Sequence, residues 1–544
     1  MQTHAIRVNG NRLSIGDLMC VAFLHFPVEL DPDPAWRQRV LASRALNDRL
    51  VGEGKPIYGV TTGFGDSCDR QLSPKGVATL QRNLLRFLGT GTGEFFAVHE
   101  ARAILLARLN SNAKGYSGVR MELLAQMAEF LNRGITPCIP VEGSVGASGD
   151  LVPLSYLGAT LCGERKVWYD GEMMDASSAL SLAGLKPLRL EAKEGLAIVN
   201  GTSAMAGLAA VNVFRAAQIA EFAALTTAMT AEALLGVRNA FEPLAHALKN
   251  HPGSCGFAAQ VLAWLEGSLL ARDLDAVFGE VGAIDGAEAR RLHLKIQDRY
   301  SIRCAPQIAG VLNDVLDWGT TWIERELNSA NDNPLYDADS GHLFNAGNFY
   351  GGHVCMTMDA LKVAIANVAH MCERQLELIV DEKYSNGLPA NLVDPHQSEE
   401  HRAVQHGFKG VQLACTSLLV EALMRCNPAS VHSQSTECHN QDKVSLGLHA
   451  ARDCARIIDL TEKIVALQMI ALAQALEIRG ADRLGHTRTA FEFIRERVPF
   501  MKEDCCFDEP ARSVVQSFRD NSFAPLFRVG RPQPLLGLFG RIYG

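Results

Sequence analysis

The sequence predicts an all-α protein: a long central helical bundle with a smaller mixed N-terminal domain. Three observations predict it. Residues 204–242, 356–384 and 447–479 are long runs rich in apolar residues, with sparse charge. Runs of that length and apolarity read as helices covered on most sides, and such helices pack as a bundle. Strand-like alternation is scarce, and "KVWYD" (166–170) is the best short candidate. The chain to about residue 205 is broken by glycine and proline into shorter elements, so a soft boundary falls there. It divides an N-terminal domain over 1–205 from the bundle and a C-terminal extension over 206–544. The tail "FAPLFRVGRPQPLLGLFGRIYG" (523–544) is rich in Pro, Gly and Arg, and its sequence assigns it no role.

Composition narrows the function. The 544 residues are 47% hydrophobic and 21% charged, enough apolar material for a large core. By length alone they allow roughly three or four domains. The net charge is −8, the pI about 6.1, and no long basic run occurs, so nucleic acid and anionic membrane are poor partners. The opening "MQTHAIRVNGNRLS" lacks the apolar stretch of a secretory signal. The most apolar charge-free run, "IVALQMIALAQAL" (464–476), is too short for a bilayer. The 14 cysteines are scattered, with no CxxC, no HExxH and no spaced Cys/His set. A cytoplasmic protein with reduced thiols and no metal is expected.

The densest signal is "VEGSVGASGDLVPLSYLG" (141–158), with Gly143, Gly146 and Gly149 around Ser148. A hydrolase nucleophile elbow needs G-x-S-x-G after a strand. Here the second glycine comes one place early and no buried strand precedes it. A glycine turn leading into a helix from Leu151, with Asp150 at the N-cap, is the plain structural alternative. "GTGTGEFF" (89–96) lacks the strand–loop–helix setting of a phosphate loop. A third reading is chemical. In Ala147-Ser148-Gly149 the Gly149 nitrogen can attack the Ala147 carbonyl carbon. Loss of water, including the serine hydroxyl, then leaves a 4-methylidene-imidazole-5-one (MIO), an electrophile that needs no metal. Glycine at 149 leaves that nitrogen unhindered, and the flanking glycines permit close backbone approach.

Six further segments occur in order with this one: "IYGVTTGFG" (57–65), "EGLAIVNGT" (194–202), "YSIRCAPQ" (300–307), "NSANDNPL" (328–335), "GNFYGG" (347–352) and "TECHNQDKVSLG" (436–447). Together they resemble the aromatic amino acid ammonia-lyase family, which includes histidine, phenylalanine and tyrosine ammonia-lyases and related aminomutases. The resemblance runs from about residue 10 to about 480. It implies a fumarase/aspartase-like helical fold and a homotetramer whose active sites are shared between subunits. It also implies an aromatic amino acid substrate and the MIO group on Ala147, Ser148 and Gly149.

The resemblance also assigns roles. Tyr58 is the expected base for the β-proton. An unperturbed phenol titrates near ~10, so it needs stabilisation, and helix N-termini aimed at it could supply that. Arg303 is the expected clamp for the substrate carboxylate, its fork suited to a bidentate pair. Asn200 and Tyr300 are expected to contact the imidazolone and the amine. Phe349 is expected to pack near the ring, and Asn333 to reach the carboxylate side. Glu437 and Gln441 are expected to face the amine and the prosthetic group from one helical face, being four apart. Gln297 is an expected supporting partner, and Leu196 is expected to bind substrate. Each taken alone has an ordinary alternative: a core aromatic, a surface salt bridge, or an Asn-Gly or Asn-Pro turn.

Substrate choice falls on residues 80–96. Family members that act on histidine carry Ser-His there, those on tyrosine His-Leu, and those on phenylalanine Phe-Leu. This chain has Phe87-Leu88, and "HNQD" (439–442) also looks more like the phenylalanine enzymes. The resemblance therefore points first to phenylalanine ammonia-lyase, giving trans-cinnamate and ammonia. Tyrosine or histidine ammonia-lyase and a 2,3-aminomutase are the alternatives. Two departures, "DSCDRQL" (66–72) and Cys438 beside Glu437, keep a substituted phenylalanine open. A catalytically dead helical scaffold should have lost Tyr58, the Ala-Ser-Gly triad or Arg303, and this chain keeps all of them.

Overall fold

The computed structural model describes residues 5–526 except 287, 521 and 525. All but the first few residues of the tail 523–544 therefore lie outside the described residues. The described elements are mostly helical, as expected from the sequence. The longest are α1 (Ser203–Ala233), α2 (Ala305–Leu327), α3 (Gly352–Val380) and α4 (Gly447–Arg479).

Two compact units form. The first takes the chain up to Phe214, then Trp318–Ala360 and Asn427–Ala455. The second takes Arg215–Asp317, Leu361–Cys426 and the chain from Arg456 onward.

The long apolar runs form helices, two of which stop short: the run 356–384 ends as helix at Val380. The run 204–242 ends as helix at Ala233. Leu235 adopts φ 52° and the Gly236 amide donates to the Ala231 carbonyl at 2.8 Å, a C-terminal cap that turns the chain seven residues before Pro243. Helix α2 had no apolar signature to find. Asp314, Asp317, Glu324, Arg325 and Glu326 interrupt its apolar residues, and such an amphipathic helix does not stand out as an apolar run.

The sheets are small. Lys166–Tyr169 pairs antiparallel with Glu172–Asp175 in a hairpin, and Thr136–Pro137 pairs with the first of these strands. Asp170 and Gly171 turn that hairpin with φ 51° and 81°, the pair of positive values that a tight two-residue turn needs.

Within the first unit the core cluster of Leu46, Ile57, Val60, Val77 and Tyr336 lies behind the turn that carries Tyr58. Burial of Ile57 and Val60 on either side holds this turn down. Thr61 and Thr62 fix its backbone: their hydroxyls accept the amides of Ile57 at 2.8 Å and Gly59 at 3.1 Å.

Candidate active site

A cavity of 390 Å³ opens in the first unit. Its walls bring together Tyr58, Phe87, Leu88, Ala147, Ser148, Gly149, Leu196, Asn200, Glu437 and Gln441, which the sequence had placed at the site. Each wall has a local cause.

The helix Val77–Phe87 buries Gln81, Leu84 and Leu85, spaced as one helical face. The Gln81 amide stitches two walls: it donates to the Gly59 carbonyl at 2.9 Å and accepts the Leu196 amide at 2.9 Å. The turn of Tyr58 and the helix Glu194–Val199 are thereby held to the same side chain. Leu88 is buried at the end of the helix, while Phe87 sits at the rim, 57% exposed, with its ring 6.3 Å from that of Phe64.

The loop 143–150 is held from both sides. The Ser445 amide and hydroxyl each donate to the Gly146 carbonyl at 3.0 Å. On the other side the Gly201 amide donates to the Ser148 carbonyl at 3.2 Å, and the Asp150 amide donates to the Gly201 carbonyl at 2.8 Å. Gly149 has φ 71° in this pairing, and a Cβ there would strike the Gly201 carbonyl. The glycine is thus required twice, by its backbone angle and by its neighbour.

Asp150 does precede the helix Leu151–Leu161, but its carboxylate does not cap it. Oδ2 accepts the Met205 amide at 2.7 Å, in the first turn of α1, and Oδ1 accepts the Ser144 hydroxyl at 2.9 Å. The residue is buried, and burial pushes its carboxyl up to about 7 against these hydrogen bonds.

Glu437 and Gln441 do not share a helix. Residues 436–441 form a tight turn closed by Thr436 and Gln441, whose amides donate to each other's carbonyls at 3.0 and 3.3 Å. Glu437, Cys438 and His439 adopt φ 51°, 52° and 63°, three left-handed residues in succession. Such backbone is costly for residues with a Cβ and concentrates at functional sites. Both side chains still reach the cavity. Gln441 Nε2 donates to Ser148 Oγ at 3.2 Å, and the Glu437 carboxylate accepts the Asp66 amide at 3.1 Å.

The Tyr58 hydroxyl accepts the Gly65 amide at 3.0 Å. Gly65 opens the 3-10 turn Gly65–Asp69, so this donor is the helix-terminal amide in contact with the phenol. It does not lower the pKa overall. Burial and the charge of Glu437 hold Tyr58 above the ordinary phenol range.

Five expected site residues lie elsewhere. Asn333 and Phe349 belong to the first unit but do not line its cavity. Asn333 Oδ1 accepts the Ala346 amide at 2.8 Å and braces the loop that carries Phe349, because its side chain turns back toward its own chain. Gln297, Tyr300 and Arg303 belong to the second unit. There Tyr300 is 70% exposed, the Arg303 guanidinium lies 4.6 Å from its ring, and among the described residues the buried Arg303 Nε has no hydrogen-bond partner. Sequence reasoning missed Phe64, Leu84, Val152 and Thr436 as cavity walls. Phe64 and Thr436 stand inside motifs already singled out, and Leu84 is one helical turn from Leu88.

The comparisons with known proteins agree with this geometry. The family model for "Aromatic amino acid lyase" matches residues 13–496. A histidine ammonia-lyase from Gloeobacter violaceus is 40% identical over 514 residues, 94% of this chain and 95% of the relative. A tyrosine ammonia-lyase from Cupriavidus metallidurans is 38% identical over 90% of this chain and 92% of its own length. The crystal structure of a tyrosine aminomutase from Streptomyces globisporus superposes with a TM-score of 0.90 at 34% identity, covering 97% of this chain and 100% of that one. The cavity loop with its Ala-Ser-Gly triad, the tyrosine that faces it and the whole-length matches lead to one assignment: the chain is a carbon–nitrogen lyase that belongs to the aromatic amino acid lyase family.

Proposed function

We propose that this protein eliminates ammonia from an aromatic α-amino acid with a carbocyclic ring, phenylalanine before tyrosine, using an MIO group formed from Ala147, Ser148 and Gly149. The observation that carries the substrate reading is the carbon share of the cavity lining: Phe64, Leu84, Phe87, Leu88 and Val152. A phenyl ring leaves nothing unsatisfied there. A phenol or an imidazole must find polar partners or lose about 1–3 kcal/mol for each one missing. A second reading, histidine, is favoured by the name of the Gloeobacter relative at 40% identity.

The residues present fit the prosthetic group. Ser148 faces the cavity, Gly149 tolerates no side chain, and the buried Asn200 Oδ1 has no hydrogen-bond partner among the described residues. Formed here, the group would supply an electrophile for capture of the substrate, and Asn200 and Gln441 beside it would hold it in place. Around it the chain's own side chains divide the work. Tyr58 takes the β-proton as its phenolate, at a hydroxyl already fixed by the Gly65 amide. Glu437 offers a carboxylate to the amine. Leu84 and Leu88 exclude water from the ring, with Phe87 at the rim.

Among the described residues, no arginine or lysine lines this cavity, although the substrate carries a carboxylate. We place the clamp on Arg303, with Tyr300 and Gln297 beside it, supplied by another copy in a homotetramer. The unpartnered Arg303 Nε supports this, as does exposed apolar surface on the second unit's helix Lys409–Met424 at Leu413, Val420 and Leu423. Phe349 and Asn333 then act from their loop in the assembled site. We place the protein in the cytoplasm, in keeping with its free thiols.

Incubation with phenylalanine, tyrosine and histidine separately, with identification of the products, tests the substrate. Cinnamate supports the first reading and urocanate the second, while a β-amino acid makes the enzyme an aminomutase. Intact mass tests the group: the native chain should be two waters lighter than its sequence, and the Ser148→Ala chain should not. A native mass equal to the unmodified sequence overturns the MIO assignment.

A further inference from the structure

We propose that Arg108 is a positioning residue for the reactive loop, its guanidinium polarising the Ser148 carbonyl through the Asn200–Gly201 peptide. The inference rests on the reading of Ala147–Gly149 given above and extends it to a residue outside the cavity wall.

Arg108 lies in the helix Val98–Ala113 and is fully buried. All three of its side-chain nitrogens are fixed. Nε donates to Asn112 Oδ1 at 2.7 Å, Nη2 to Ser111 Oγ at 3.0 Å and Nη1 to the Asn200 carbonyl at 3.0 Å. The acceptors are fixed in turn, since Asn112 Nδ2 donates to the Ala197 carbonyl at 2.9 Å and Ser111 Oγ to Asn331 Oδ1 at 3.0 Å. The guanidinium is pressed onto the backbone so closely that a Cβ on Gly201 would strike Nη1.

The peptide that receives Nη1 passes the effect on. Its carbonyl end is Asn200 and its amide end is Gly201, whose N–H donates to the Ser148 carbonyl at 3.2 Å. A cation at one end of a peptide strengthens the donor at the other, and chains of hydrogen bonds polarise one another in a low-dielectric interior.

The charge is costly here, which argues that it has a use. The three bonded oxygens are neutral. Of the nearby carboxylates, Asp332 is bonded to Lys193 Nζ at 2.7 Å, and Asp150 to the Met205 amide and the Ser144 hydroxyl. Burial pulls Arg108 down to about 10, so it remains a cation at neutral pH. A neutral amide could fill the same space without that desolvation.

The oxygen at the end of the relay matters chemically. Were a nucleophile to add to the side-chain carbon of residue 148 in the closed ring, one new σ bond would form there and the exocyclic C=C π bond would be lost. Its electron pair would move to the Ser148 oxygen through the adjoining carbonyl, and no group would leave. Removing a direct donor to such an oxygen costs about 10²–10³-fold, so a relay one peptide away is expected to count for about tenfold.

The test uses full-length Arg108→Gln and Arg108→Lys with cyanide as the probe nucleophile. Circular dichroism and intact mass establish that each variant is folded and two waters lighter than its sequence. Addition of cyanide, followed by mass, should then be about tenfold slower in Arg108→Gln, with kcat lowered and KM held. Arg108→Lys, which keeps the charge but not the fork, should fall between it and the native protein. Native cyanide rate and native kcat in a folded, dehydrated Arg108→Gln overturn the proposal and leave the MIO reading standing. Should Arg108→Gln not fold, an unchanged cyanide rate in Arg108→Lys overturns it equally. A native chain that has lost no water removes both together.

Discussion

Tyr58 and Glu437 meet on one glycine. The Tyr58 hydroxyl accepts the Gly65 amide at 3.0 Å, and the Glu437 carboxylate packs against the same residue while accepting the next amide, that of Asp66. The two groups to which the proposed mechanism gives the β-proton and the amine are therefore held by consecutive peptides of one turn. Their mutual effect has a sign: the carboxylate opposes ionisation of the phenol.

Tyr58→Phe should lose rate far more than affinity. The ring is retained, so substrate still fits, while a positioned general base is worth about 10²–10⁴-fold. Steady-state kinetics should show kcat falling by that factor with KM within a few-fold. A near-native kcat would move the base elsewhere.

Glu437→Gln should shift the pH profile toward acid. In the proposed mechanism Tyr58 acts as phenolate, so activity rises as pH approaches its pKa, which burial first and then the charge of Glu437 hold above the usual range. Removing that charge lowers the pKa, so the rising limb of kcat/KM should appear at lower pH even if the plateau falls. An unmoved limb would mean that Tyr58 is not the titrating group.

What could be read from the sequence was what lies within a contiguous stretch. Tyr58, Ala147, Ser148, Gly149 and Asn200 stand in short motifs, and the cavity brings them together. The bundle helices were legible because apolar length has one physical outcome. What failed was backbone that depends on distant partners. The turn of Glu437 takes three successive left-handed residues with no glycine among them, which propensity argues against. Asp150 passes over its own helix for an amide 55 positions away. Arg108 was not singled out, because an arginine in a helical stretch reads as surface until its acceptors, Asn112, Ser111 and Asn200, are in place.

Gly149→Ala should be among the most damaging single-methyl changes in the first unit. At φ 71° alanine is strained, and its Cβ would displace the Gly201 carbonyl. That shift breaks the bonds from Gly201 N to Ser148 O and from Asp150 N to Gly201 O. The expected outcome is a chain that keeps helical circular dichroism but has the full unmodified mass. A variant with the native mass deficit would show that the loop has more room than its geometry gives.

Asp150→Asn should flatten the pH dependence of stability. The folded pKa is raised from 3.8 to about 7, so the folded state holds the proton that the unfolded chain has released. That contribution is fully present below the unfolded value and is lost as pH rises through the window from 3.8 to about 7. Asparagine keeps an acceptor for Met205 and can donate to Ser144, without charge. Native Tm should therefore fall across this window more than the variant's, by thermal melts at several pH values. Parallel curves would show that another group controls the slope.

Phe87→His should raise activity on tyrosine relative to phenylalanine. Phe87 lies against Phe64 at the rim, and Leu84 and Leu88 complete a surface that offers only carbon. A tyrosine hydroxyl buried there lacks a partner, at a cost of about 1–3 kcal/mol, or roughly a 5- to 150-fold bias in kcat/KM. An imidazole at position 87 gives the hydroxyl a donor or acceptor and takes nothing from the rest of the wall. The measured quantity is the ratio of kcat/KM for tyrosine to that for phenylalanine, in native protein and variant. It should rise by at least several-fold. Because Phe87 is 57% exposed, the ring contact depends on substrate reaching the rim. An unchanged ratio would therefore show that the aromatic ring stops short of it, against Leu84 and Leu88, and that specificity is set there. A native preference for histidine would overturn the carbocyclic reading and leave the lyase assignment intact, since that assignment rests on Tyr58, the Ala-Ser-Gly loop and the family match rather than on the rim.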